Sequence, residues 1–375
     1  MKILYYFCGE GLGHTTRTIA AGTQLAKYHD VTFASYGYAK EFLEKCGLEA
    51  FEVPSEIKLV GKAGALDIKD SILTTVKRSS PTSFLRHVSI IDKFRPELII
   101  SDSFYFPSLI AKTKHIPFWM VLNQTNVEKF FSEHEESVRW IGNAVKKLNN
   151  SALSGVDKLL IPDFAPPYTI SSHNLVFTPK MIGKVEYIGP LVRKNKSEIK
   201  ARGRKNSVFA SIGGFGYRRQ VLDKLTNIAR QMPEYTFDLV AGPNAQSIQE
   251  TKNVRAHAMV TDPLTMMAKS SIVICGGGHS TIMESVCLSK PVLSIPDLFH
   301  FEQESNASQI QAMGLGARLD YKTPEPIIED LLRKYTKDRE TRKRLNTMAG
   351  LAQKLDGRKH MLRLVDEMES VKVRA

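Results

Sequence analysis

CGGGHSTIME, residues 275–284, is the segment that decides the fold. An apolar run ends at its cysteine and a helical pattern follows its glycines, so it predicts a strand, a glycine turn and a helix. Glycines let the backbone turn sharply and approach a ligand closely. The helix start offers free N–H groups and the positive dipole end to a phosphate, and the residues placed there are Gly277, Gly278, His279, Ser280 and Thr281.

Acidic residues near this turn are candidates for contacts with sugar hydroxyls. Glu284 lies one turn inside the helix, and a carboxylate has acceptor sites for both hydroxyls of a ribose. The alternative is that Glu284 forms a capping box with Thr281, in the pattern Thr-x-x-Glu. Glu302 and Gln303 open the following helix and are candidates for bonds to a sugar, although acids also stabilise a first helical turn without a ligand.

Another glycine turn, CGEGLGH at residues 8–14, follows the first predicted strand, Lys2–Phe7. The dinucleotide fingerprint G-x-G-x-x-G is not met, because His14 stands at its third glycine position and no acid ends the second strand. Binding of a nicotinamide dinucleotide is therefore disfavoured. At a helix N-terminus the positive helix end disfavours an imidazolium, so His14 is a candidate proton acceptor. The alternative is a histidine that only satisfies hydrogen bonds of the turn.

Asp102 ends another apolar strand, which places its carboxylate on the same rim of a parallel sheet as His14. A carboxylate bonded to one imidazole nitrogen fixes the tautomer and stabilises the charge that forms when the other nitrogen takes a proton. The alternative role of Asp102 is the N-cap of the next helix. In the second half, SIGGFGY at residues 211–217 repeats the strand–glycine pattern, and a pyrophosphate could lie against Gly213 and Gly214.

Strand-like and helix-like runs alternate along the chain, which predicts an α/β protein with parallel sheets. Residues 193–205 interrupt the alternation with seven basic residues and one acid, so we interpret residues 191–206 as a linker. The predicted domains are residues 1–190 and 207–355, with a C-terminal helix at 356–375 that could pack back on the first domain. Two Rossmann-like domains facing across a cleft would each hold one ligand at their strand ends.

Composition limits the class of protein. With 375 residues and 42% hydrophobic residues, the chain has enough apolar side chains for two cores. No apolar run reaches the ~18 residues that cross a bilayer. Four scattered cysteines form no CxxC pair, which suits a reducing cytoplasm and indicates no zinc site. The net charge of +13 fits phosphorylated ligands, a membrane surface or simply a basic exterior, and the absence of nucleic-acid-binding motifs argues against nucleic acid.

These motifs resemble those of the nucleotide-sugar glycosyltransferases with the GT-B fold. The glycines, Ser280, Glu284, two prolines, Glu302-Gln303 and Asn306-Ala307 are similar to the donor-binding signature of UDP-glycosyltransferases and of the bacterial N-acetylglucosaminyltransferase for lipid-linked peptidoglycan precursors. The resemblance implies a catalytic base at His14. It further implies a partner for that base at Asp102, and donor contacts at Gly213, Gly214, Met259, Val260, Ser280, Glu284, Glu302 and Gln303.

The sequence departs from the plant-type branch of this family at two positions. Cys275 stands where that branch has a histidine, and His279 stands where it has an asparagine, so His279 is a candidate for the lost phosphate contact. No Asp-x-Asp pair occurs, which argues against a catalytic metal ion. Retaining GT-B enzymes share a Glu-x7-Glu element, but the position eight after Glu284 is Val292, which favours inversion.

The expected activity is inverting, metal-independent transfer of a sugar from a UDP-sugar to an acceptor hydroxyl, without a cofactor. The acceptor side is expected at Gly11, Gly13, Asn123 and Asn126. A UDP-N-acetylglucosamine 2-epimerase and a catalytically inactive sugar-nucleotide-binding protein remain alternatives. The expected location is the cytoplasm, and a lipid-linked acceptor would place the enzyme peripherally at the inner face of the membrane.

Residues 55–84 bear on that acceptor, because they carry five basic residues and three acids among interleaved apolar side chains. This combination suits an anionic membrane surface. The alternative is an ordinary helix whose apolar face packs on its own sheet. The basic residues are Lys58, Lys62, Lys69, Lys77 and Arg78.

Overall fold

The computed structural model describes residues 1–56, 60–62, 65–66, 70–71, 74, 81–131, 136–212 and 218–374. The chain divides into two compact units. The first unit comprises Met1–Val60, Asp67–Arg193 and Leu355–Ala375, and the second comprises Gly61–Leu66 and Lys194–Lys354. The basic segment is therefore divided between Arg193 and Lys194.

The described part of residues 1–193 forms a parallel sheet flanked by helices. The strands in this part of the chain are β1 (Lys2–Phe7), β2 (Asp30–Ser35), β3 (Ala50–Glu52), β4 (Gly61–Lys62), β5 (Ala65–Leu66), β6 (Leu98–Asp102), β7 (Phe118–Val121), β8 (Lys158–Ile161) and β9 (Val185–Tyr187). Of these, β4 and β5 lie in the range assigned to the second unit. The helices in this part of the chain are α1 (Leu12–Leu25), α2 (Gly37–Lys45), α3 (Pro81–Phe94), α4 (Phe106–Thr113), α5 (Glu136–Ser154) and α6 (Pro179–Ile182). The sheet has the order β3-β2-β1-β6-β7-β8-β9, while β4 and β5 form a separate antiparallel pair.

The second unit repeats this design. Its strands are β10 (Ser207–Ser211), β11 (Thr236–Val240), β12 (Val254–His257), β13 (Ile272–Cys275), β14 (Val292–Ser294) and β15 (Gly316–Arg318), in the spatial order β12-β11-β10-β13-β14-β15. Its helices are α7 (Arg219–Gln231), α8 (Pro263–Lys269), α9 (His279–Cys287), α10 (Phe301–Ala312), α11 (Glu325–Lys337) and α12 (Arg339–Lys354). Helix α13 (Gly357–Arg374) belongs to the first unit, where it packs against α1.

The central strands are continuous apolar runs because helices cover both faces of a parallel sheet. In β1 all residues from Ile3 to Phe7 are fully buried, and β13 is likewise buried throughout. The interiors of the two sheets each form a large apolar cluster. Such two-faced burial explains why the sequence shows these strands as unbroken hydrophobic segments.

The strand order places one crevice in each unit. After β3 the chain returns to the other side of β1 and forms β6, and after β12 it returns beside β10 as β13. In an open parallel sheet, ligands bind outside the carboxyl ends of the strands at such a reversal point. The segments that follow β1, β6 and β13 therefore lie at such reversal points, and each carries a sequence motif. Most of the motif after β10 lies outside the described residues.

Candidate active site

His14 and Asp102 meet at the rim of the first unit. Strands β1 and β6 are neighbours in which Phe7 lies opposite Asp102. Gly11, with a φ of +84°, takes a left-handed conformation that a side chain disfavours, and α1 begins at the next residue. His14 is thus in the first turn of α1, and its Nδ1 lies 2.7 Å from Asp102 Oδ1. Asp102 is fully buried, whereas the His14 side chain is 25% exposed.

Arg17 completes this group, although its role was not anticipated from the sequence. It lies one turn after His14 on α1, and its guanidinium donates from Nε to Asp102 Oδ2 and from Nη2 to Asp102 Oδ1, both at 2.5 Å. Its Nη1 donates to the side-chain oxygen of Asn123 at 2.7 Å. Arg17 and Asp102 therefore form a buried bidentate ion pair, the geometry in which an arginine holds a carboxylate most firmly.

The ion pair bears on which ring nitrogen of His14 carries the hydrogen. Burial alone would raise the pKa of Asp102, but the charges and hydrogen bonds of Arg17 and His14 outweigh burial and lower that pKa. Arg17 Nη2 also lies 3.0 Å from His14 Nδ1, but the contact with Asp102 is shorter at 2.7 Å. Because an ionised carboxylate only accepts hydrogen bonds, we place the ring hydrogen on Nδ1. The lone pair of Nε2 is then available to an incoming proton. This arrangement has the chemistry of a general base and its orienting carboxylate.

The other residues expected on the acceptor side have different environments. Gly11 and Gly13 are exposed at the start of α1. Asn123 is buried and bonded to Arg17, so it supports the ion pair. Asn126 lies in the loop after β7, where its backbone N–H donates to the carbonyl of Asn174 at 3.0 Å.

In the second unit, the triple-glycine turn connects β13 to α9. Gly278 is the N-cap, and Gly277 has a φ of +85°, so a side chain there would be strained. A Cβ on Gly277 would also lie 2.7 Å from the carbonyl oxygen of Gln303, which shows how closely α10 packs on the turn. The fully buried Asn306 donates from its amide to the Gly277 carbonyl at 3.0 Å. Helix α10 therefore fixes the conformation of the glycine turn.

Helix α9 begins at His279, which tests one of the two roles considered for Glu284, the capping box. A capping box requires Thr281 at the N-cap, but Thr281 is the third residue of the helix and the N-cap is Gly278. The capping-box alternative is therefore wrong. Glu284 is instead a buried carboxylate, 5% exposed, one turn inside a helix that starts at a glycine turn. His279 and Ser280 are also buried, and Thr281 is half-buried.

A second buried ion pair supports this rim. Arg218, directly before α7, donates to both carboxylate oxygens of Asp297, from Nε at 2.8 Å and also from Nη2. The Tyr321 hydroxyl donates to the same carboxylate at 3.0 Å. The side-chain oxygen of Gln303 accepts from the backbone N–H of Asp297 at 3.0 Å. Gln303 is therefore engaged with Asp297 beside the glycine turn, which the sequence interpretation of Gln303 as a sugar contact did not foresee.

The remaining expected donor residues lie in other segments of the second unit. Met259 and Val260 are half-buried in the loop between β12 and α8, and Glu302 is half-buried in the first turn of α10. Gly213 and Gly214 lie outside the described residues. Among the described residues, one group could hold a metal ion, and it contains none of the expected site residues: His29, Asp366 and Glu369.

Solved structures share the fold formed by these two parallel sheets. The glycotransferase of kitacinnamycin matches with a TM-score of 0.70 and 14% identity over 98% of each chain. Phytolacca americana UGT2, complexed with UDP-2-fluoro-glucose and pterostilbene, matches with a TM-score of 0.68 and 13% identity over 99% of each chain. At these identities the likeness shows the fold, and the predicted GT-B fold is confirmed.

The chain belongs to glycosyl transferase family 1, whose profile matches residues 1–335. A glycosyltransferase of Methanosarcina acetivorans is 40% identical over 372 residues, which are 98% of both chains. One of Methanosarcina mazei is 37% identical over 378 residues and the full length of both chains. The protein is therefore a glycosyltransferase, as predicted, and the epimerase alternative is not carried further. Among the described residues, no helix combines the length and apolar character that a membrane span requires.

Proposed function

We propose that the protein transfers a sugar from a UDP-sugar to an acceptor hydroxyl with inversion, and that His14 is the catalytic base. The observation that carries the proposal is the 2.7 Å contact between His14 Nδ1 and the buried, arginine-paired Asp102. This contact orients the ring and leaves Nε2 as the proton acceptor. Arg17 and Asn123 act as positioning residues in this proposal, because Arg17 holds Asp102 and Asn123 accepts a hydrogen bond from Arg17.

The proposed step is a single displacement at the anomeric carbon. The acceptor oxygen forms a bond to that carbon while its proton passes to His14 Nε2. The bond from the anomeric carbon to the diphosphate breaks, and its electron pair leaves with UDP. Asp102 stabilises the imidazolium that forms, and the proton later returns to solvent.

The donor is proposed to bind the second unit, with its diphosphate at the N-terminus of α9. That terminus offers backbone N–H groups and a positive dipole to the charge that develops on the leaving group. Buried Glu284 is proposed to accept hydrogen bonds from the ribose hydroxyls, with Met259 and Val260 beside the base. The choice of UDP is supported by the Phytolacca americana structure, which contains UDP-2-fluoro-glucose, but the spinosyn rhamnosyltransferase structure contains thymidine diphosphate. The nucleotide is therefore part of what must be tested.

Inversion without a metal ion is proposed from the sequence. No Asp-x-Asp pair occurs, and Val292 occupies the position of the second glutamate that retaining enzymes share. An inverting displacement needs one base and no protein nucleophile, and His14 is proposed as that base. The decisive measurement is the anomeric configuration of the product by NMR, after UDP- and TDP-sugars have been screened by thermal shift. A product with the donor's configuration would overturn the mechanism.

A lipid-linked acceptor is proposed as the substrate class, which would make the protein a peripheral membrane enzyme. The support is the mixture of basic and apolar residues in the segment 55–84, and most of this segment lies outside the described residues. Flotation with vesicles that contain or lack anionic lipid provides the test. Binding at low salt that disappears at high salt, and that falls when Lys58, Lys62, Lys77 and Arg78 are neutralised, is expected. No binding to anionic vesicles would indicate a water-soluble acceptor.

A further inference from the structure

One face of the second sheet changes from apolar to polar near its edge. Residues opposite each other in adjacent parallel strands point to the same face, and the row across four strands reads Val273, Phe209, Asp238, Arg255. Val273 and Phe209 pack against α8 in an apolar cluster. Asp238 and Arg255 continue the row where that cluster ends. The sequence therefore places charged side chains on a sheet face that is elsewhere a hydrophobic core.

These charged positions line a cavity of about 590 Å³ within the second unit. Cavities of this size accommodate small-molecule ligands. The walls come from three parts of the chain, namely the end of the basic segment, strands β11 and β12, and α8. The lining residues are Arg202, Gly203, Arg204, Asp238, Arg255, His257, Met266 and Lys269.

Arg204 is held in this wall at both its backbone and its side chain. Its backbone N–H donates to the carbonyl of Lys269 at 2.7 Å, and its own carbonyl accepts from the hydroxyls of Ser207 and Ser271, both at 2.9 Å. Its guanidinium donates to Asp238 at 2.5 Å, and Asp238 is only 5% exposed. The basic segment, interpreted from the sequence as a linker, is therefore ordered here against the sheet.

The charges in the cavity do not balance. Asp238 is the one carboxylate in the lining, and Arg204 already neutralises it. Arg202, Arg255 and Lys269 are exposed and form no ion pair with any residue that the structure describes. Three positively charged residues thus line one cavity together with Asp238, which is buried and bonded to Arg204.

We propose that this cavity is a binding site for a phosphate-bearing ligand with two or more negative charges, such as a diphosphate group. Guanidinium groups match phosphate oxygens in a bidentate geometry, and an ammonium group adds a point charge. A ligand of this charge compensates most of the three unpaired cations. The phosphate can belong to a free small molecule or to a lipid headgroup, and these two sources share the chemistry that the cavity recognises.

The test measures binding of pyrophosphate to the full chain by isothermal titration calorimetry, with UDP at saturating concentration to occupy the proposed donor site. The test variant is R202Q/R255Q/K269Q. The matched control is K252Q/K322Q/K337Q, which removes the same charge from exposed lysines of the same unit, outside the cavity lining. We expect the test variant to bind pyrophosphate about tenfold more weakly or worse, because one lost charge-assisted hydrogen bond already has roughly that effect. The control should match the wild type, and all three proteins should bind UDP equally.

Two results would overturn the proposal: no pyrophosphate binding by the wild type, or equal weakening in the control, which would indicate a general charge effect. A second experiment distinguishes the sources of phosphate. Vesicles of phosphatidylcholine with or without phosphatidic acid are floated with each protein at low salt. Loss of phosphatidic acid binding in the test variant alone assigns the cavity to a lipid headgroup. Unchanged flotation, combined with weaker pyrophosphate binding, assigns it to a free phosphate.

Discussion

Substitution of Asp102 by asparagine tests the structure of the first rim most directly. Asparagine has nearly the same shape, but it has no charge and one acceptor oxygen in place of two. Its amide nitrogen would face donors of either Arg17 or His14, whose distances to Asp102 are 2.5 and 2.7 Å. The variant therefore leaves a buried guanidinium without a counter-charge and removes the reason for the hydrogen to stay on His14 Nδ1.

Both consequences have expected magnitudes. Breaking one partner of a buried ion pair costs about 3–5 kcal/mol, because the remaining charge stays desolvated. We expect a loss of this size in the unfolding free energy of the first unit. Turnover should fall roughly 10³–10⁴-fold in the folded variant, the order seen when an asparagine imposes the wrong histidine tautomer in a Ser-His-Asp triad.

The chain offers a specific assay and a matched control. Both tryptophans, Trp119 and Trp140, lie in the first unit, so their fluorescence during urea unfolding reports that unit. Asp297→Asn breaks the equivalent buried pair with Arg218 in the second unit. The control should leave the tryptophan transition unchanged and impair donor binding more than the chemical step. Turnover by folded Asp102→Asn within about tenfold of the wild type would refute the role given to Asp102.

Four further outcomes are expected. His14→Ala should abolish transfer and leave UDP affinity nearly unchanged in calorimetry, because loss of a general base acts on the chemical step; retained turnover would contradict the mechanism. Glu284→Gln should weaken donor binding by about 1–3 kcal/mol, and a donor KM equal to the wild type's would exclude a ribose contact. EDTA should leave activity unchanged, and a strong metal requirement would show that a carboxylate pair has been missed. Because the pKa of Asp102 is lowered in the folded protein, its contribution to stability is complete above the unfolded pKa of about 3.9 and is lost as the pH falls through the folded pKa. In Asp102→Asn, the unfolding free energy of the first unit should therefore depend less on pH in this acid range.

The sequence predicts the main strands well because they are buried on both faces. Lys2–Phe7 is found at its predicted bounds, and strands end at Asp102 and Cys275 as predicted. Strand β9 (Val185–Tyr187) was missed, since three half-buried residues at a sheet edge carry almost no periodic signal. Helix α1 starts at Leu12, directly after Gly11, whose left-handed conformation ends the turn.

The ion pairs at the two rims, unlike the strands, are not predictable from local sequence patterns. Arg17 is 85 positions from Asp102, and Arg218 is 79 positions from Asp297, so only the folded chain brings them together. A local signal existed for Arg17, because it lies three residues after His14 and so shares its helix face. Asp297, which follows Pro296, carries no pattern that distinguishes it from an ordinary loop residue.

Each rim contains a buried arginine–aspartate pair, but the two pairs are placed differently. Arg17, in the second turn of α1, binds Asp102 at the end of β6, and Arg218, directly before α7, binds Asp297 in the segment after β14. A buried pair of this kind contributes little net stability, since desolvation offsets much of the attraction. It does fix the distance between a helix start and the strand ends opposite. In the first unit, Asp102 also contacts His14 and so positions its ring. In the second unit, Asp297 also binds Gln303, which lies beside the Gly277 turn. We therefore expect Arg17→Lys to keep most of the charge interaction but to lose turnover, because a single ammonium cannot hold both oxygens of Asp102 in the bidentate geometry.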